Sequence, residues 1–91
     1  MRTLLVSYDL VSPVKNYQPL WDYFKSFSTR AKPLESFYLL KTDYSPKELR
    51  DILRSNYLDT DDKMMVIDVT NRESAWLNLG EDYNTWLKNN L

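Results

Sequence analysis

Apolar and polar residues alternate through residues 3–10, TLLVSYDL, a β-branched and aromatic stretch that predicts a strand. Alternation puts Leu4, Val6 and Tyr8 on one face and Leu5, Ser7 and Asp9 on the other, and the first set is the one expected to pack under helices. After a loop at 11–16, marked by Ser12-Pro13, the period changes. Leu20, Tyr23, Phe24 and Phe27 recur at helical spacing, which predicts a helix over 17–27 with Pro19 tolerated in its first turn and Trp21 beside the stripe. Extended character returns at 31–35, a short edge strand because it holds Pro33, and at 37–42, a central strand. Ser45, Pro46 and Glu48 then spell a capping box, opening a second helix that buries Leu49, Ile52 and Leu53 and is extended by Tyr57. Residues 63–70, KMMVIDVT, predict the last strand. Past a turn at 71–73 and a short extended or 3₁₀ piece around Trp76, the lone Gly80 precedes a C-terminal helix over 81–89. That helix offers Tyr83, Trp86 and Leu87 for docking.

The order β-α-β-β-α-β predicts an α+β, ferredoxin-like domain covering residues 1–91. Its antiparallel sheet carries two helices on one face, and a short C-terminal helix is appended. The first and third strands should be central neighbours. Taken as running parallel, they would bring Asp9 close to Lys41 and Thr42, and a fourth strand antiparallel to the first would bring it close to Lys63 and keep it far from Asp68. The second sheet face is left bare. A chain of 91 residues buries only about two-thirds of its unfolded surface, so its core must be aromatic-rich or completed by a partner. Three Trp, seven Tyr and three Phe, together with the bare face, lead to the expectation of a homodimer.

Composition narrows the chemistry. With no Cys, disulfides and thiolate metal sites are excluded, and with no His the commonest general base and zinc ligand are missing. Any bound metal would be a hard cation held by oxygen. Twelve Lys and Arg against thirteen Asp and Glu give a net charge of −1, so nucleic acid is a possible partner that net charge does not support. No apolar run is long enough for a membrane, and the N-terminus enters a strand without a signal-peptide pattern, so a cytoplasmic location without membrane attachment is expected.

The candidate site centres on Asp9, at the end of a central strand. Its structural alternatives are a strand-end ion pair with Lys41 or Lys63, or a cap on the Val11 or Ser12 amides. Ser7 and Ser36, read as lying inside strands, and Lys41 are the accompanying binding candidates. A serine nucleophile has no histidine to activate it. Asp59-Thr60-Asp61-Asp62 lacks the glycine and distal glutamate of a calcium loop and reads as a solvated turn.

LLVSYDL, LESFYLLKTD and KMMVIDVT before a tryptophan-containing tail resemble the small SinR-like proteins of bacteria and phages over nearly the whole chain. Tyr8-Asp9 and Ser36-Phe37 are similar, more distantly, to the small CRISPR-associated ferredoxin-like nuclease family. That resemblance implies a homodimer in which the strand-one aspartates of two protomers meet and hold magnesium for phosphodiester cleavage; only Asp9 matches the position. The basic residues that commonly follow the aspartate in that family are replaced here by Leu10-Val11-Ser12-Pro13-Val14, with one lysine at position 15. Two functions stay open: a binding or assembly module that needs no cofactor, and a magnesium-dependent endonuclease acting on RNA or DNA through Asp9 of two protomers.

Overall fold

The computed structural model describes residues 1–91. Its elements are β1 (Arg2–Asp9), α1 (Gln18–Lys25), β2 (Arg30–Leu34), β3 (Phe37–Thr42), α2 (Pro46–Asn56), β4 (Lys63–Asp68) and α3 (Glu81–Asn90). The class is α+β. One four-stranded sheet has the order β2-β3-β1-β4, with every neighbouring pair antiparallel. β1 and β3 are the central neighbours, as expected, but they run antiparallel rather than parallel. The tight turn at Glu35-Ser36 reverses the chain between β2 and β3. Thr3 therefore faces Lys41 and Arg2 faces Thr42, while Ser7 faces Phe37. Lys41 and Thr42 lie at the opposite end of β1 from Asp9.

Alternation in β1 does what its pattern demands. Leu4, Val6 and Tyr8 are buried with Leu20 and Phe24 of α1, Tyr38 and Leu40 of β3, and Leu49 and Leu53 of α2. Both helices thus share the first sheet face. Burying each of these side chains contributes on the order of 2 kcal/mol. The Phe24 and Tyr38 rings lie 4.5 Å apart, and Tyr8 stacks on Phe24 at 6.0 Å. α1 is shorter than its stripe suggests, because Tyr17 is its N-cap and Ser26 its C-cap. α2 has the full capping box: Glu48 N–H donates to Ser45 Oγ at 3.1 Å, and Ser45 N–H donates to Glu48 Oε1 at 2.9 Å. β4 stops at Asp68 because Thr70 turns inward, where its Oγ1 accepts from Thr3 N–H at 2.8 Å.

The second face is only half bare. α3 crosses its β2 side: Leu87 is buried, Thr3 Oγ1 donates to the Asn90 carbonyl at 2.7 Å, and Tyr83 Oη donates to the Lys32 carbonyl at 2.8 Å. Ala31 and Leu39 are buried on this side. Trp76 has no regular secondary structure around it and docks through Nε1, which donates to Asn84 Oδ1 at 2.8 Å. Leu87, not Trp86, is the buried anchor; Trp86 is only partly buried. Gly80 enters α3 at φ 92°, a conformation that glycine adopts without strain. Toward β4 the face stays open, with Met65 61% and Ile67 43% exposed.

Candidate functional site

β1 delivers Tyr8 and Asp9 into a corner between the β2–β3 turn and the start of β4. Tyr8 N–H donates to the Ser36 carbonyl at 3.1 Å, and Asp9 lies opposite Lys63. Asp9 is exposed and its carboxylate makes no hydrogen bond or ion pair; Lys63 is its cross-strand neighbour without being its salt-bridge partner. Lys41 does not belong to this site, because antiparallel pairing puts it across from Thr3. Ser36 is not inside a strand. It forms the β2–β3 turn with φ 54°, a left-handed conformation that closes the hairpin. Ser7 is exposed on the second face between Phe37 and Met65. Asp9 and Ser36 therefore come together, Ser7 adjoins Asp9 along the strand, and Lys41 stands apart.

Asp9 and Ser36 border a cleft of about 510 Å³ with Tyr8, Gln18, Trp21, Lys25, Lys32 and Glu35 among its walls. Its charge is balanced, and Lys32 already sits 3.8 Å from Glu35. The Tyr8 and Trp21 rings are 5.6 Å apart. The Tyr8 hydroxyl is buried without a hydrogen-bond partner. Burial, followed by the proximity of Tyr38 and Glu35, pushes its pKa up to about 12. The phenol stays protonated at neutral pH, so it can donate a hydrogen bond but not act as a base. Nowhere in the chain do three carboxylates gather into a metal-binding group. Magnesium fits this corner poorly, since of its two carboxylates only Asp9 is unpaired, Glu35 lying 3.8 Å from Lys32.

The residue that organises the corner is Asp62, within the stretch read as a solvated turn. Its carboxylate accepts from Tyr17 Oη at 2.7 and 2.8 Å, from Val11 N–H at 2.9 Å and from Asp59 N–H at 2.7 Å. Ser12 N–H in turn donates to Tyr17 Oη at 3.3 Å. Capping of the Val11 and Ser12 amides, one of the two structural alternatives for Asp9, is thus done by Asp62 and Tyr17. Desolvation pushes the Asp62 carboxyl up, but the hydrogen bonds from Tyr17, Val11 and Asp59 outweigh it and hold the pKa below the ordinary carboxylate value. The available signal was topological: β4 antiparallel to β1 puts the loop leaving β1 against the loop entering β4.

No family model matches the chain, and no curated protein or solved structure matches it. No helix is long and apolar enough to cross a membrane.

Proposed function

We propose that this chain is a ferredoxin-like binding or assembly module that acts as a homodimer, related to the SinR-like proteins and distantly to the CRISPR-associated small nuclease family. The strand order, with β1 and β3 central and both α1 and α2 on one face, supports the ferredoxin-like arrangement. The observation that carries the functional proposal is the open sector of the second sheet face, where Met65 and Ile67 are 61% and 43% exposed on a strand at the edge of the sheet. Such a surface suits association better than catalysis. The corner at Asp9 has no histidine and only one free carboxylate. A net charge of −1 provides no field to draw in nucleic acid. Sedimentation equilibrium tests this directly: a dimer is expected at micromolar concentrations, and a monomer at high micromolar concentration contradicts it.

One observation favours the alternative, a magnesium-dependent endonuclease: Asp9 is exposed and unpaired, so its carboxylate is free to meet a second copy's. Wild type and Asp9→Asn, incubated with magnesium or manganese on single-stranded and duplex RNA and DNA, separate the two. Cleavage with turnover that disappears in the asparagine variant establishes the enzyme; no cleavage by either protein supports the module.

A further inference from the structure

The sheet has two edges, and only one of them is closed. β2 carries Pro33, its pairing with β3 shifts register between Ala31 and Leu34, and its Lys32 carbonyl is taken by Tyr83. A proline, an irregularity and a covering side chain are the means by which edge strands avoid pairing with other chains. β4 has none of them. It holds an unbroken register against β1 from Lys63 to Asp68 and contains no proline.

The phase of that ladder is fixed, because Val69 N–H donates to the Thr3 carbonyl at 2.9 Å. In an antiparallel pair, residues bond to their neighbour at alternate positions. Lys63, Met65 and Ile67 therefore spend their N–H and C=O groups on β1. Met64, Val66 and Asp68 present theirs outward, where nothing in the chain meets them.

Resting on the homodimer proposed above, we infer that β4 pairs antiparallel with β4 of a second copy across a two-fold axis at Val66. Val66 faces Val66, Met64 faces Asp68, and Met65 faces Ile67. A two-fold axis normal to the sheet keeps each side chain on its own face, so only residues of equal parity can stand opposite one another. Among such registers, the one centred on Val66 puts all three outward residues into hydrogen-bonded pairs, about six hydrogen bonds at two per pair. Centring on Met65 leaves the groups of Asp68 unused, for about four.

Side chains agree with this register on both faces. On the second face each exposed Met65 meets an exposed Ile67, merging two small apolar patches. On the first face Asp68 of one copy arrives at Met64 of the other. Met64 lines a cleft of about 580 Å³ together with Arg50, Arg54 and Lys63. Arg54 has no acidic partner within the chain, whereas Asp68 accepts from Thr70 N–H at 3.0 Å and Thr70 Oγ1 at 2.5 Å and has one basic neighbour, an exposed Arg2 at 3.9 Å. Asp68 of one copy thus meets the unpaired Arg54 of the other, twice, by symmetry. The same geometry sets the two Asp9 carboxylates roughly 25 Å apart, from a strand rise of about 3.4 Å and a strand spacing of about 4.8 Å. This dimer cannot share a magnesium ion between them.

The test uses the full chain in two forms. Val66→Pro deletes an outward N–H that the monomer does not use, so it should weaken the dimer at least about 100-fold in sedimentation equilibrium while the far-UV circular dichroism is kept. Met65→Cys combined with Ile67→Cys places thiols on strand pairs whose Cα atoms lie about 4.5 Å apart, within disulfide range. Because the chain has no other cysteine, mild oxidation should give a covalent dimer on a non-reducing gel even if the proline variant fails to fold. A wild-type dimer that yields no such cross-link, and that tolerates Val66→Pro when that variant folds, overturns the β4 interface and leaves the homodimer standing. A wild-type monomer overturns both.

Discussion

The β2 and β4 strands bound the same sheet and solve the edge problem in opposite ways. β2 is short, irregular, proline-bearing and shielded by α3, so its unpaired backbone groups are scattered or capped. β4 is regular, backed by Met64 and Val66 half-buried on the core face, and flanked on the other face by exposed Met65 and Ile67. The difference teaches that the placement of α3 decides which edge of the sheet is covered. α3 is laid over the β2 side of the second face and stops short of β4. A hydrophobic, regular edge left uncovered in an otherwise guarded sheet is the feature on which the proposed interface rests.

The contrast can be broken from the β2 side first. Leu87→Ala should cost about 3 kcal/mol in urea unfolding, because Leu87 is 3% exposed and anchors α3 to the sheet. A loss below about 1 kcal/mol would mean that α3 does not close that side. Next in size is Asp62→Ala, which removes the acceptor that holds the entry to β4 against the loop after β1. About 2 kcal/mol should be lost near neutral pH. The pH dependence has a definite sign. The folded-state pKa is depressed, so the contribution is present above the unfolded value of about 3.9 and disappears as pH falls through the folded value. Wild type and Asp62→Ala should therefore begin to converge in stability as pH falls below about 4 and meet below the depressed folded value, and a gap that persists there would contradict the ionised-acceptor account. Arg54→Asp should weaken the dimer by roughly fivefold to tenfold at low salt and by less at high salt, as expected for a partly exposed ion pair. The smallest effect belongs to Asp9→Asn. With no partner for Asp9 in the chain, stability should change by no more than about 0.5 kcal/mol, and a larger loss would reveal a structural role.

Most of the fold was legible because local rules and burial agree. The alternation at Leu4, Val6 and Tyr8, the stripe of Leu20 and Phe24, and the Ser45-Glu48 capping box each specify one conformation, and each is found where its pattern put it. Strand direction was the point of failure. The composition of residues 37–42 says that they are a central strand but not which way they run; that follows from a two-residue reversal at Glu35-Ser36, where a serine rather than a glycine takes φ 54°. From that one error came the misplaced neighbourhood of Lys41, whereas the direction of β4 was legible and Asp62 was missed because residues 59–62 read as a solvated turn. Of the three residues that α3 offers, ring size marks Trp86 as the most valuable to bury, while helix phase gives the buried position to Leu87.

Hydrogen exchange at single amides compares the two edges in one experiment. Across a dilution series spanning the dimer's dissociation, the outward amides of Met64, Val66 and Asp68 should go from slow exchange at high concentration to fast exchange at low concentration. Over the same series the Arg30 amide of β2 should be unchanged. Fast exchange of the three β4 amides at every concentration, or a concentration dependence confined to β2, would contradict the claim that β4 is the edge this molecule keeps open for its partner.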